Sequence, residues 1–389
     1  MAKAIDIGTS FIVAAELQDG REVFRSERNA FFCMDRDELA QDMLDDAGAR
    51  YLVRGEQLFV VGEDALKFAT ITGDQRAYRR PMARGILNPG EEQAISMLET
   101  LVEGLLGPAA RPGEVCAATL PAAPCDAEGD ITFHRIVIER CLRRLGYEPH
   151  PIHEALAVIY SENPQVESGG QSVPFTGIGL SFGAGMTNAA LAWRAKSLFE
   201  TAVARGGDWI DERVALARAT TRSKVCAIKE RRLDLERIDP RDGMQLALEI
   251  YHEELIEYAA RRLAEALHHT QASVEEALEV CVAGGTAMVP GFLPRLERAL
   301  GRVHLPLQIR GVRLARDPLR AAAAGALVAA VSHEKRRPAG RAEGASAAAP
   351  AAPGVTSSPG GTNGGASGTP PASLPPGAAR ERPRKAPVG

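Results

Sequence analysis

Hydrophobic and polar positions follow two different periods along this 389-residue chain. Short apolar runs predict strands at residues 2–7, 11–17, 58–61, 114–120, 175–182, 188–193 and 279–283. Apolar residues at helical spacing predict amphipathic helices over 91–106 and 131–145, which end at Gly107 and Gly146. The alternation of strands and helices predicts an α/β fold.

A strand-turn-strand pattern occurs twice, as AIDIGTSFIVAAEL at 4–17 and GIGLSFGAGMTNAAL at 177–191. Turns of small and hydroxyl residues expose backbone N–H groups and can lie against phosphate oxygens. Two such turns predict two related domains that close on one polyphosphate. We place these domains at 1–150 and 151–332, with a polar insertion at about 21–81 and a helical insertion at about 212–256.

Residues 333–389 contain almost no large apolar side chains, so this tail is predicted to be disordered. The tail carries eight Lys or Arg residues against three Glu, although the whole chain has a net charge of −4. A basic tail can contact an acidic protein partner, a membrane surface or nucleic acid, although a solubilising tail with scattered charges is the favoured interpretation. No aromatic residues lie between the basic ones, which disfavours nucleic acid as the partner.

Six cysteines are widely spaced and form no Cys-x-x-Cys or Cys/His cluster. This spacing argues against both a zinc site and a disulfide framework. No apolar run approaches the length of a transmembrane segment, and no apolar signal core is evident. We therefore expect a cytoplasmic protein.

A third motif, LEVCVAGGTAMVPGFLPRLERAL at 278–300, contains an apolar strand that leads into Gly284, Gly285 and Thr286. Paired glycines allow the backbone to pass close to a flat base or an α-phosphate, and the following helix offers N–H groups at its start. With this motif the chain resembles the actin superfamily, whose adenosine motif has nearly the same string. The resemblance covers roughly residues 2–332.

Other segments resemble actin-superfamily motifs in the expected order. These are the first phosphate motif at 6–10, the first connecting helix at 151–162, the second phosphate motif at 181–187, the Gly-Gly-Asp segment at 206–212, the Ile-Lys-Glu helix at 227–232 and the second connecting helix at 317–330. The wording DIGTS is closest to MreB and the magnetosome actins. The resemblance implies an actin-like two-domain fold, in which duplicated ribonuclease-H-like cores surround a central nucleotide cleft.

The resemblance also implies ATP or ADP with Mg²⁺ as cofactors. Asp6 is the implied metal ligand, and Glu154 is the residue that orients or deprotonates the attacking water, so both are candidate catalytic residues. The implied nucleotide-binding residues are Gly8, Thr9, Ser10, Gly183, Ala184, Gly185, Met186, Thr187, Gly207, Asp208, Lys229, Glu230, Gly284, Gly285, Thr286 and Met288.

Single residues among these have simpler accounts. Asp6 can stabilise a turn, Glu154 can cap a helix, and a Gly-Gly-Asp turn needs no ligand. Lys229 and Glu230 can form a solvated ion pair. Six motifs in the family's order favour the functional interpretation of the set.

The second phosphate motif departs from the family at two positions. Ser181 stands where an acidic residue usually helps to hold the metal, and Met186 stands where a hydroxyl residue is common. Loss of one charge-assisted interaction costs about 1.5–3 kcal/mol. We therefore expect nucleotide binding to be retained better than hydrolysis, so that any ATPase activity is slow.

The resemblance implies a bacterial actin-like cytoskeletal protein that assembles with itself, head to tail, into nucleotide-dependent filaments. A monomeric nucleotide-switched adaptor or a chaperone-type ATPase is the alternative, although no β-rich substrate domain follows Ala330. A sugar kinase on the same fold is a third possibility. It is disfavoured because no polar substrate loop with an obvious catalytic Asp follows the second turn.

Overall fold

Two five-stranded sheets form the centre of the protein, for which a computed structural model describes residues 2–74, 77–128, 131–270 and 274–336. With elements numbered in chain order, the first sheet contains β1 (Lys3–Ile7), β2 (Phe11–Gln18), β3 (Arg21–Arg28), β10 (Glu114–Leu120) and β11 (Tyr147–His153). The second sheet contains β14 (Gly177–Phe182), β15 (Thr187–Trp193), β16 (Lys196–Val203), β17 (Leu278–Ala283) and β18 (Ile309–Leu314). All of the described residues belong to one compact unit.

The two sheets have the same topology. The strand order is β11-β10-β1-β2-β3 in the first sheet and β18-β17-β14-β15-β16 in the second, when each is read from its parallel edge. Three strands are parallel in each sheet, and the last two return as antiparallel hairpin strands. The duplication inferred from the two strand-turn-strand patterns is therefore present in the strand order.

Strand β3 lies in the first sheet, although the sequence placed 21–81 in an insertion. The hydrophobic pattern did not indicate β3 as a strand, because an edge strand carries polar side chains that are exposed to solvent. The segment after β3 forms a small sheet and two helices: β4 (Phe31–Asp35), α1 (Glu38–Asp46), β5 (Tyr51–Arg54), β6 (Gln57–Val61), α2 (Glu63–Thr72) and β7 (Tyr78–Arg79). This segment has its own apolar core, which includes Phe32, Leu44 and Phe68.

A short hairpin of β8 (Met82–Ala83) and β9 (Ile86–Leu87) follows β7. Helices α3 (Ala94–Leu106) and α4 (Ile131–Arg144) share an apolar core with the first sheet. The predicted helical insertion at 212–256 contains the end of α6 (Gly207–Ala217), all of α7 (Arg222–Arg232) and the first half of α8 (Gly243–Thr270). These helices and α9 (Phe292–Arg302) share a core with the second sheet. A separate hairpin consists of β12 (Val166–Ser168) and β13 (Gln171–Val173).

Helices α5 (Glu154–Glu162) and α10 (Ala321–Arg336) join the two sheets. Their shared apolar core is rich in alanine and draws residues from both sheets. A Cβ atom added at Gly325 would lie 1.7 Å from the Ala157 carbonyl oxygen, and one added at Gly179 would lie 2.1 Å from the Ala155 carbonyl oxygen. The α5 backbone is thus packed between two glycines, one in α10 and one in β14.

Helix α10 extends to Arg336, which lies four residues into the tail that was predicted to be disordered. The remainder of that tail, 337–389, lies outside the described residues.

Gly325→Ala is expected to lower the free energy of unfolding by about 1–3 kcal/mol, because its methyl group would overlap the α5 backbone. The measurement is urea unfolding, with Gly301→Ala as the matched control. Gly301 lies in α9 with no atom near its added Cβ, so that change should stabilise the protein by about 0.5–1 kcal/mol. Equal effects of the two substitutions would contradict the backbone contact between α5 and α10.

Candidate functional site

The two predicted phosphate-binding turns follow the central strands of the two sheets. The first turn, Gly8–Ser10, follows β1, and the second turn, Gly183–Met186, follows β14. A Cβ atom added at Gly185 would lie 2.3 Å from Thr9 Oγ1 and 2.4 Å from the Gly85 nitrogen. The two turns therefore meet at the edge where both strands end, with the β8–β9 hairpin against them.

Asn29 stabilises the first turn. Its Nδ2 donates to the Gly8 carbonyl at 2.8 Å, and its backbone N–H donates to the Ser10 carbonyl at 2.9 Å. The Asn29 side chain is fully buried, directly after β3. Both bonds occupy carbonyl groups of the turn and leave its amides unaffected.

The start of α6 stabilises the second turn in the same manner. The N–H groups of Gly207 and Asp208 donate to the carbonyls of Gly183 and Ala184 at 3.0 and 2.8 Å. The hydroxyl of Thr286 also donates to the Gly183 carbonyl, at 2.9 Å. The positive end of the α6 dipole thus lies against this turn.

Four amides of the two turns have no such partners. Within the described ranges, no acceptor is bonded to the N–H groups of Thr9, Ser10, Ala184 or Gly185. Unpaired backbone donors on two adjoining glycine-containing turns match the oxygens of a polyphosphate. The residues at this edge therefore fit the anionic part of a nucleotide.

Asp6 lies near the end of β1 and is partly buried. Thr119 on the neighbouring strand β10 donates its hydroxyl proton to Asp6 Oδ1 at 2.5 Å. Burial raises the pKa of Asp6 to about 6, and the Thr119 hydrogen bond opposes this increase. The carboxylate is oriented by Thr119 and can charge near neutral pH.

Glu154 is the first residue of α5, and both of its carboxylate oxygens accept hydrogen bonds. Ser181 Oγ donates to Oε1 at 2.6 Å, and Asn188 Nδ2 donates to Oε2 at 2.9 Å. Burial, followed by the nearby charge of Asp6, raises the pKa of Glu154 to about 8. The two candidate catalytic carboxyls therefore share one site, in which burial and mutual repulsion favour the protonated form of Glu154.

The Gly284–Gly285 loop crosses the end of β14. Gly284 has a φ of 94°, and a Cβ atom added there would lie 2.2 Å from the Phe182 carbonyl oxygen. The nearest atom to an added Cβ at Gly285 is Leu319 Cδ2, at 3.4 Å. Met288 and Leu319 are both about half exposed. This loop leaves apolar surface next to the second turn, as a flat base would require.

Asp208 and Lys229 are already paired. Arg80, from the segment before the β8–β9 hairpin, donates to both Asp208 oxygens at 3.0 and 2.8 Å. Lys229 is buried and bonds to the Gly207 carbonyl at 2.9 Å and to Asp211 at 2.8 Å. These contacts make both side chains supports of the second turn, while their predicted contact with a nucleotide stays a prediction.

The remaining predicted residues differ in accessibility. Glu230 is exposed on α7 and accepts a long hydrogen bond from Cys226 Sγ at 3.3 Å. Met186 is buried with Ala122 and Ala202. Thr187 is also buried, and its hydroxyl donates to the Arg205 carbonyl at 2.9 Å. The side chains of Met186 and Thr187 therefore anchor the second turn.

Sequence reasoning missed three residues that shape this site: Asn29, Thr119 and Asn188. A weak signal existed for Asn188, which is an amide residue directly before the apolar run 189–193 of β15 and pairs in register with Ser181. The contacts of Asn29 and Thr119 depend on pairing between distant segments, so no local pattern indicates them.

Within the described ranges, no group of three or more His, Cys, Asp or Glu side chains is placed to bind a metal ion. Mg²⁺ is commonly bound by one or two carboxylates together with phosphate oxygens and water. Asp6, with one oxygen bonded to Thr119, suits that mode of binding. In the part of the chain that the structure describes, no helix has the length and apolar character required to cross a membrane.

Solved structures identify the fold. The chain is similar to the MamK double helical filament, with a TM-score of 0.60 and 16% identity over 87% of this chain and 100% of that one. It is similar to MreB 5 of Spiroplasma citri bound to AMPPNP, with a TM-score of 0.57 and 11% identity over 86% of this chain and 97% of that one. For the same protein bound to ADP, the TM-score is 0.56 and the identity is 13% over 86% of this chain and 97% of that one. No match was found among curated proteins.

The protein has the actin-like two-domain fold, which confirms the resemblance to the actin superfamily that its motifs indicated. A family model described as Volactin matches residues 1–330. The chain therefore belongs to the Volactin family.

The raised pKa of Glu154 predicts a pH effect on stability. Because this pKa is raised from 4.5 to about 8 in the folded protein, its stabilising contribution is complete below pH 4.5 and is lost as the pH rises through 8. Relative to Glu154→Gln, the wild type should lose at least about 1.4 kcal/mol between about pH 5 and about pH 9. Urea unfolding at both pH values measures the difference.

The exposed residue Glu56 provides the control for this experiment. Glu56→Gln should follow the wild-type pH dependence, because its side chain lies outside the site. Parallel pH curves for wild type and Glu154→Gln would contradict the electrostatic account of the buried carboxyl pair.

Proposed function

We propose that this protein binds ATP with Mg²⁺ between its two turns, hydrolyses it slowly and assembles into nucleotide-dependent filaments. One observation carries the proposal: four unpaired backbone amides of two adjoining turns lie at the edge where Asp6 and Glu154 share a site. Donors at that position stabilise phosphate charge, and a carboxyl pair can hold the metal and the attacking water.

Charge balance makes Mg²⁺ part of the proposal. The nearby cations Arg80 and Lys229 are already paired with Asp208 and Asp211. A triphosphate placed here meets the like charge of ionised Asp6, and this repulsion has to be offset by a bound cation. Asp6 would hold Mg²⁺ together with phosphate oxygens and water. Binding of ATP should accordingly depend strongly on the metal.

Slow hydrolysis follows from the position of Ser181. Its hydroxyl donates to Glu154 and supplies no negative charge to a metal. Asp6 is left as the principal carboxylate for Mg²⁺, and Glu154 has to lose its proton before it can act as a general base. We therefore expect the protein to bind ATP and to hydrolyse it slowly.

The comparisons support nucleotide binding and self-assembly. The fold relatives include a filament of MamK and nucleotide-bound forms of MreB 5. Head-to-tail stacking would propagate because its two contact surfaces differ and so remain free at the ends. A nucleotide contacted by both turns would set the angle between the two halves and thereby the assembly state.

Calorimetry tests nucleotide binding. ATP with Mg²⁺ should bind the wild type, and removal of Mg²⁺ or the change Asp6→Asn should weaken binding at least about tenfold, since a charge-assisted metal contact is lost. Asp19→Asn, in the exposed turn between β2 and β3, is the matched control and should bind as the wild type does. Absence of binding to the wild type would refute the proposal.

Sedimentation with ATP, ADP or no nucleotide tests assembly. Polymer that forms with ATP and declines in its absence is the expected result. Protein that binds ATP but stays monomeric at high concentration would instead favour the switched adaptor or chaperone-type ATPase. Phosphorylation of small polyols by the same preparation would favour the sugar kinase.

A further inference from the structure

We infer that Asn188 is a positioning residue for the hydrolytic step, which holds Glu154 and connects it to the loop that follows β10. The inference rests on the proposed ATP hydrolysis. Asn188 lies on β15 and is 2% exposed. Its Nδ2 donates to Glu154 Oε2 at 2.9 Å, while its Oδ1 accepts from the Ala122 N–H at 3.1 Å.

These two bonds determine the orientation of the Asn188 amide. If the amide were reversed, its oxygen would face the Glu154 carboxyl and its NH₂ group would face the Ala122 N–H. In the observed orientation each partner is complementary, so the side chain has one favourable position. A buried amide with both ends bonded is suited to holding a carboxyl in a defined direction.

Asn188 acts together with Ser181, its partner across the β14–β15 hairpin. Ser181 donates to one oxygen of Glu154 and Asn188 to the other. Once Glu154 is ionised, each of its oxygens can accept two hydrogen bonds and so keeps one acceptor position. These acceptor positions of Glu154 are available to a water molecule beside the turns. The hydrogen bonds from Ser181 and Asn188 set the direction in which they point.

The loop at 121–126 follows β10 of the first sheet and contacts the second sheet. Cys125 donates its N–H to the Ala202 carbonyl at 2.9 Å. Asp126 accepts from the Ala204 N–H at 2.7 Å and from the Tyr258 hydroxyl at 3.0 Å. Through Ala122, this anchored loop also fixes Asn188.

The same strand end therefore orients both carboxyls. Thr119, the next-to-last residue of β10, bonds Asp6, and Ala122, shortly after β10, bonds Asn188 and through it Glu154. The relative position of Asp6 and Glu154 thus depends on one segment that contacts both sheets. A purely packing role for Asn188 would not require a donor directed at the carboxyl.

Two substitutions separate positioning from packing. Asn188→Ala removes both hydrogen bonds, whereas Asn188→Asp keeps the volume and the acceptor for Ala122 but replaces the donor by a carboxylate. Positioning predicts that kcat for ATP falls at least about tenfold in both variants, while the Kd values for ATP and AMPPNP stay within about twofold of the wild type in the uncharged variant Asn188→Ala. Asn88→Ala, at an asparagine bonded to Gly90 in a loop, is the matched control.

Thermal unfolding identifies variants that do not fold. Should Asn188→Ala be unstable, Ser181→Ala provides the second arm, because it removes the other donor and should lower kcat severalfold with little change in Kd. Its control is Ser172→Ala, in the exposed β12–β13 hairpin.

The outcomes distinguish this inference from the proposed function. Wild-type protein that binds no ATP would refute the proposed function itself. The positioning role alone would be overturned by an unchanged kcat in folded Asn188→Asp. It would also be overturned by a loss of ATP affinity in Asn188→Ala that matches the loss of kcat.

Discussion

The backbone contact between α5 and its two glycine neighbours is the constraint on which the rest of the structure depends. Gly179 in β14 and Gly325 in α10 leave room for the carbonyl groups of Ala155 and Ala157. Because neither contact tolerates a Cβ atom, α5 has one depth and one direction between the sheets. Glu154 is the first residue of this helix, so the contacts of α5 with the two glycines set the distance of Glu154 from both turns.

The chemistry of the site follows from how its polar groups are divided. Carbonyls of the turns accept hydrogen bonds from Asn29, Thr286 and the start of α6, while four amides of the turns have no partner among the described residues. Two basic side chains near the turns, Arg80 and Lys229, are paired with carboxylates. Unpaired backbone dipoles therefore lie beside two titratable acids, and this arrangement suits an anion that binds together with a cation.

Much of the fold could be predicted from the sequence because its main elements have local signals. The strands around both turns, helices α3 and α4, and the glycine pair at 284–285 have periodicity or turn chemistry that can be recognised within a few residues. Strand β3 was misassigned because solvent-exposed edge positions remove the apolar alternation. A local sequence pattern does not show that β3 pairs with β2.

The candidate site was predictable only in part. The motifs indicated Asp6, Glu154 and both turns, but the hydrogen bonds from Thr119 and Asn188 arise from neighbouring strands. The sequence indicated Ser181 only as the place where a metal-binding carboxylate is missing. In the structure, the Ser181 hydroxyl donates a hydrogen bond to Glu154. The contacts of Asp208 and Lys229 depend on packing against residues that their own segments do not reveal.

The ion pair between Arg80 and Asp208 has a mechanical consequence. Arg80 precedes the hairpin that touches both turns, while the Asp208 backbone is bonded to the second turn, so the pair links that hairpin to the second turn. The two side chains are only 24% and 20% exposed, so dissolved salt screens their attraction weakly. Any displacement of the hairpin from the second turn therefore has to break an ion pair that high ionic strength does little to loosen.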